Sequence, residues 1–169
     1  MADTLTSERT LTPADWRAAM GSFPSGVTIV TSWDGEAAIG STVSAFCSVS
    51  LDPPLLLVCL DRANPVLGPI EASGVFGVNI LCEESRELAM RFGVAAKEGW
   101  PEAATHRAQP GGAPQLEVAP VFIGCTVEHV YPGGDHMIVV GRGVRIDHAS
   151  AAGPLLYHKG RFPRFVRPE

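Results

Sequence analysis

Five hydroxyls fall between Ser41 and Ser50 in the run Gly40-Ser-Thr-Val-Ser-Ala-Phe-Cys-Ser-Val-Ser-Leu-Asp-Pro-Pro54. They belong to Ser41, Thr42, Ser44, Ser48 and Ser50. Side chains alternate along a strand, so Thr42 and Ser44 share one side, and Ser48 and Ser50 keep the same spacing further on. Hydroxyls and backbone N–H groups aimed at one point hold a phosphate without a large basic patch. Arg62, just past the next apolar run, can add a charge-assisted bond. The same residues also fit a serine-rich strand with one wet face, and composition alone leaves both readings open.

Two later segments carry further chemistry. In Gly134-Asp-His-Met-Ile-Val-Val-Gly-Arg-Gly143, His136 stands at the mouth of a strand beside a Pro-Gly-Gly turn. It can donate to a ligand amide or stack on a flat ring; it can equally pair with Asp135 or water. In Pro154-Leu-Leu-Tyr-His-Lys-Gly-Arg-Phe162, the residues Tyr157, His158, Arg161 and Phe162 surround a glycine. Flat faces beside cationic donors suit a nucleotide, although the same group can pin the C-terminal segment to the body. His106, His129 and His148 have no partner at a recognisable spacing. There is no GxSxG elbow, HExxH set or P-loop, and the four cysteines have no metal-ligand spacing. An enzyme built on this chain takes its hard chemistry from a cofactor.

The elements that must position these residues read as follows. Thr12-Pro-Ala-Asp15 starts a helix by a capping box with proline in the first turn, running to Met20 and ending at Gly21. Strands are expected over Val27–Ser32 and Ala37–Phe46, joined at the Asp34-Gly35 turn signal. A third strand, Leu55–Leu60, is apolar throughout, as if buried on both sides or central. Asn64 caps a short helix closing near Gly74, and Val75–Leu81 is a strand. Glu83–Phe92 is a helix that ends at Gly93, with Leu88 and Phe92 on its buried face. Residues 94–120 read as a long loop. Val121–Tyr131 and Asp135–Asp147 form a hairpin around Pro132-Gly-Gly134, and the tail lies on the surface. About six hairpin-connected strands with two or three short helices favour an antiparallel barrel, which removes sheet edges. No strand–glycine-rich–helix unit marks a dinucleotide-binding α/β domain.

Composition fits one domain: 169 residues, 46% hydrophobic and 18% charged. Eighteen acids against thirteen bases leave a net charge of −5, which argues against nucleic-acid binding, and Arg161, Arg164 and Arg167 are too sparse for a basic arm. No apolar run reaches the roughly 18 residues of a membrane span, and the polar N-terminus is no signal peptide. Cys47, Cys59, Cys82 and Cys125 are expected to be buried reduced thiols in a cytoplasmic protein.

Six segments in this order resemble the short-chain flavin reductases, the NAD(P)H:flavin oxidoreductases that serve two-component flavin-dependent monooxygenases. They are Phe23–Thr31, Gly40–Pro54, Asn64-Pro65, Phe76–Leu81, Gly134–His136 and Leu155–Phe162, so the likeness spans about Thr12 to Phe162. It implies a mainly β fold, the FMN-binding split β-barrel, in a single domain over residues 1–169, and a homodimer with flavin near the subunit interface. It implies that Thr42, Val43, Ser44 and Ala45 lie against the flavin ring and ribityl chain. Ser48, Val49 and Ser50 are then the phosphate-side loop, and Asp61, Arg62, Ala63 and Asn64 a further part of that site. His136, in the GDH motif, lies near the nicotinamide, and His158, Lys159, Gly160, Arg161 and Phe162 belong to the pyridine-nucleotide segment. Phe92 closes one side of the ring.

The implied reaction passes a hydride from C4 of NADH or NADPH to N5 of FMN or FAD, and then supplies reduced flavin to a partner monooxygenase component. It needs two stacked rings roughly 3–3.5 Å apart. Backbone N–H groups of Ser44 to Phe46 are expected to bond the ring's polar edge. The acidic charge and the thin arginine content of the tail lean towards NADH. The alternatives are a split-barrel flavin oxidase acting on its own substrate and a flavin-binding protein without catalysis.

Overall fold

The computed structural model describes residues 10–95, 100, 106–107, 112–149 and 153–166. Helix α1 (Pro13–Met20) opens on the expected capping box: the Asp15 N–H donates to Thr12 Oγ1 at 3.1 Å and the Thr12 N–H to Asp15 Oδ2 at 3.3 Å. The strands are β1 (Ser25–Gly26), β2 (Thr28–Asp34), β3 (Ala37–Val43), β4 (Phe46–Leu51) and β5 (Pro54–Asp61). After helix α2 (Leu67–Ser73) come β6 (Val75–Ile80), a 3-10 turn over Glu83–Ser85 and helix α3 (Arg86–Ala95). The chain continues through β7 (His106–Arg107), β8 (Gln115–Leu116), β9 (Val121–Gly133), β10 (His136–His148) and β11 (Leu156–Tyr157).

Seven strands pair antiparallel in the order β3-β2-β6-β9-β10-β5-β4. Laid flat, the six inter-strand gaps of such a sheet, each about 4.8 Å, would hold its edges roughly 29 Å apart. Yet β3 and β4 are the two edges, and only Ser44 and Ala45 connect them. Three chain steps span at most about 11 Å. The sheet must therefore curl until its edges meet, which makes it a barrel. Its interior holds Val30, Val43, Leu56, Val58, Leu60, Phe76, Val78 and Val139, with Val66, Leu67 and Ile70 of the α2 segment packed on the same cluster.

A second cluster lies against α3 and joins Val27, Ile29, Leu81, Ala89, Phe92, Leu116 and Leu155. One of its buried members, Leu116, comes from a segment expected to be plain loop, and Trp100 and Ala119 of that segment pack against it. Residues 112–116 are stitched to the barrel: Trp33 Nε1 donates to the Gly112 carbonyl at 2.7 Å and Thr31 Oγ1 to the Pro114 carbonyl at 2.6 Å. The Leu116 N–H donates to Asn79 Oδ1 at 2.8 Å. β7 pairs with β8 in the same stretch.

Several boundaries differ from expectation for local reasons. The strand expected over Ala37–Phe46 breaks after Val43, where the chain turns the barrel corner. Asn64 does not cap α2; its Oδ1 accepts the Val66 N–H at 3.0 Å in an Asx-type turn, and the helix begins at Leu67. Gly93 does not stop α3, which continues to Ala95. β5 is not buried on both faces: Leu56, Val58 and Leu60 are buried, while Leu55, Leu57 and Cys59 are half-buried. Of the cysteines, only Cys125 is buried and Cys47 is exposed.

Candidate active site

A cleft of about 370 Å³ opens where β3 leaves the barrel towards β4. Val27, Thr42 and Ser44 line it from the barrel, Ala89, Met90 and Gly93 from α3, and Tyr157, Gly160 and Phe162 from the tail. Thr42 and Ser44 thus share a side, as their spacing required. The Thr42 hydroxyl donates to the Ala89 carbonyl at 2.7 Å, which fixes the helix against the strand and leaves the oxygen able only to accept. The Val43 side chain points the other way, into the core, and its carbonyl accepts from Thr28 Oγ1 at 2.8 Å. At the corner, the Phe46 N–H donates to the Ser44 carbonyl at 3.0 Å, so it is not available to a ligand. The N–H groups of Ser44 and Ala45 have no partner among the described residues.

A second group assembles at the end of β5. Asp61 faces His136 in the β5–β10 register. Asp61 Oδ1 accepts the Ala63 N–H at 2.7 Å, and Asn64 Nδ2 donates to Ser41 Oγ at 3.0 Å. That last bond ties the Asp61–Asn64 turn to the strand whose next residue, Thr42, lines the cleft. The His136 ring is bonded through Nδ1 to Asp135 Oδ1 at 2.8 Å, and this hydrogen bond holds the Asp135 carboxyl below its ordinary range. His136 itself does not line the cleft of its own chain.

The tail makes a tight turn. His158 and Arg161 exchange backbone bonds at 2.9 and 3.0 Å around Lys159 and Gly160, both in the left-handed region with φ of 48° and 75°. Gly160 suits that geometry and Lys159 does not, since a non-glycine residue there costs about 1 kcal/mol or more. The turn is pinned by the Lys159 N–H donating to the Gly21 carbonyl at 3.1 Å. It places His158, Lys159, Arg161 and Pro163 around a recess of about 380 Å³. Phe162 sits between the Tyr157 ring, at a centroid distance of 5.4 Å, and the Arg86 guanidinium, at 5.5 Å.

Besides the Phe46 N–H, two expectations are corrected. Phe92 does not offer its ring to a ligand: it is 1% exposed, packed edge-on against Trp100 at 5.0 Å and close under Gly40, where an added Cβ would meet the ring at 2.6 Å. Ser48, Val49 and Ser50 form no loop; they belong to β4, paired with β5 and broken by a bulge at Val49, and they lie outside the cleft. Sequence reasoning missed Ala89, Met90 and Gly93. The available signal was Gly93, read as a helix stop when its missing side chain instead leaves the cleft open. Cβ atoms at Gly93 and Gly160 would meet nothing within 4 Å among the described residues.

These features fit a flat, polar-edged ring system. Open glycine positions make room, Tyr157 and Phe162 give apolar faces, and the Ser44 and Ala45 N–H groups are free to donate. Comparisons with known proteins give the family. Residues 20–165 match the family model described as flavin reductase like domain. The reductase subunit HsaB of the flavin-dependent monooxygenase of Rhodococcus jostii (strain RHA1) is 34% identical, across 89% of this chain and 76% of that protein. The NADH-dependent FMN reductase AsuE2 of Streptomyces nodosus subsp. asukaensis is 37% identical, across 91% and 85%. Among solved structures, the NADH:FAD oxidoreductase SgcE6 of Streptomyces globisporus C-1027, in complex with NAD and FAD fragments, superposes with a TM-score of 0.83 at 30% identity, across 94% and 97%. A split barrel with a cleft at the β3–β4 corner, matched along most of its length, places this chain in the flavin reductase-like family.

Proposed function

We propose that this chain is a flavin reductase that takes a hydride from NADH to FMN or FAD and supplies reduced flavin to a flavin-dependent monooxygenase component. The observation that carries the reading is one cleft in which Thr42 and Ser44 of the hydroxyl run meet Tyr157, Gly160 and Phe162 of the tail. When bound, the flavin supplies the hydride acceptor and NADH the donor. The protein's own work is binding, orientation and exclusion of water. The Ser44 and Ala45 N–H groups donate to the polar edge of the ring, where negative charge develops, and need no reorganisation to do so. Thr42 and the Val43 backbone form the wall beside them. Ser48, Val49 and Ser50 of β4, which lie outside the ring's cleft, serve the ribityl and phosphate side together with Asp61, Ala63 and Asn64 of the turn after β5. Lys159 and Arg161 give cations, and the His158 ring a polar N–H, to the pyrophosphate of the nucleotide. His136, oriented by Asp135, positions the nicotinamide and is not an obligatory acid.

The reading includes a homodimer with flavin near the subunit interface. Its support is the half-covered outward face of β5 and the exposed Val144 and Ile146, which lie on a length of β10 that β5 does not reach. It also includes a cytoplasmic location, supported by four cysteines without a disulfide.

The test is NADH consumption with FMN, with FAD and without added flavin. Flavin-dependent turnover is expected, and His136→Ala should slow the NADH step by about tenfold while flavin affinity moves less than about twofold. No flavin-dependent turnover would remove the reductase reading in favour of a flavin-binding protein. An unchanged NADH rate in His136→Ala would remove the role given to that residue.

A further inference from the structure

Arg62 holds a place that its proposed phosphate role does not explain. β5 ends at Asp61, yet hydrogen bonding to the neighbouring hairpin continues past it. The Arg62 N–H donates to the Asp135 carbonyl at 3.0 Å. Its side chain then reaches back, and Nε–H donates to the Gly134 carbonyl at 2.9 Å. Gly134 and Asp135 are the two turn residues between β9 and β10, with Gly134 at a φ of 73°. Their carbonyls are therefore both held by one residue, the first past the end of β5. The next link is the Asp135 carboxylate on His136 Nδ1 at 2.8 Å.

Turn, carboxylate and imidazole form a chain with Arg62 at its base. A histidine ring's tautomer is set by the bond its Nδ1 makes, so the turn that aims Asp135 also decides which His136 nitrogen is presented outward. We propose that Arg62 is a positioning residue for the nicotinamide step, fixing the Gly134–Asp135 turn and, through Asp135, the orientation and tautomer of His136. This rests on the reading of His136 given above.

Arg62 is exposed, and Arg62→Ala keeps its backbone bond to Asp135, so the variant should fold. Long-range proton–nitrogen spectra of the imidazoles, with His136 assigned from His136→Ala, should show a changed balance of His136 tautomers in Arg62→Ala. The KM for NADH should rise about three- to tenfold, the range set by one net hydrogen bond, with FMN affinity altered less than about twofold. In the double variant Arg62→Ala/His136→Ala, the NADH loss should equal that of His136→Ala alone, because the two act on one element. Unchanged His136 nitrogen signals would overturn the proposal, as would losses that multiply in the double variant. A loss confined to FMN affinity would overturn it in favour of a phosphate contact. If His136→Ala leaves NADH kinetics intact while Arg62→Ala still shifts the His136 signals, the clamp stands and the catalytic reading of His136 falls.

Discussion

Gly93 offers a perturbation whose effects on folding and on ligand binding have opposite signs. It lies in α3, near the C-terminal end, and a Cβ there would touch nothing within 4 Å among the described residues. Glycine in a helix costs up to about 1 kcal/mol relative to alanine, so Gly93→Ala should stabilise the fold by at most that amount. For a domain of this size, that raises Tm by roughly 2–4 °C. The same position lines the cleft of about 370 Å³ opposite Thr42 and Ser44. Under the proposed assignment of this cleft, a leucine side chain at 93 would occupy space the flavin ring needs. Forcing extra methylenes into a fitted site costs typically about 1–3 kcal/mol, which corresponds to roughly a 5- to 150-fold rise in Kd. Quenching of FMN fluorescence gives Kd, and thermal unfolding without flavin gives Tm. Gly93→Leu should therefore bind FMN much more weakly with Tm no lower than wild type. Unchanged FMN affinity would refute the assignment of this cleft to the ring. A lower Tm in Gly93→Ala would refute the helical, uncrowded environment of the residue.

Four further outcomes test the frame around the site. Asn79 is fully buried and serves the Ile29 carbonyl, Thr31 Oγ1 and the Leu116 N–H, so Asn79→Ala should cost on the order of 3 kcal/mol and lower Tm by roughly 6–12 °C; a change under about 1 °C would show that the 112–116 segment is not held this way. Gly40→Ala drives a Cβ into the Phe92 ring and should destabilise by about 1–3 kcal/mol, read as a lower urea midpoint at constant m-value. Burial pushes the Cys125 thiol up to about 12 from an ordinary 9.0, so the fold favours its protonated form. That contribution is whole below pH 9 and is lost as pH rises from 9 towards 12, so urea stability should fall across that window. At pH 8 a thiol reagent should modify exposed Cys47 first and Cys125 only on unfolding; rapid labelling of Cys125 in the native protein would contradict its burial.

What the sequence made legible follows the range of the interactions involved. The Thr12–Asp15 capping box, the Asp34-Gly35 turn and the β9–β10 hairpin are set by near neighbours; the first two stand where local pattern puts them, and the hairpin forms as expected but turns at Gly134–Asp135, with Pro132 and Gly133 still paired in β9. Thr42 and Ser44 line one cleft, as their spacing of two anticipates, although β3 ends at Val43 between them. The break at Ser44–Ala45 was not legible, because it arises from barrel closure and both flanking segments have strand character. Residues 112–116 looked like loop because what orders them is distant in sequence: Trp33, Thr31 and Asn79 supply the bonds, and no local periodicity reports them. Phe92 was misplaced for a related reason. Its spacing with Leu88 marked a buried face, and the structure keeps it there, packed against Trp100 and unable to serve a ligand. Gly93 was read from its usual meaning at helix ends, whereas here its value is the side chain it lacks.

The central claim is a hydride transfer carried out in the β3–β4 cleft, and anaerobic titration with NADH tests it most directly. With FMN or FAD and the protein present, and oxygen excluded, one NADH should be consumed for each flavin bleached. NADH deuterated at the transferred C4 position should react more slowly, and Gly93→Leu should slow the bleaching at subsaturating flavin. Flavin that stays oxidised in the presence of protein and excess NADH would contradict the account.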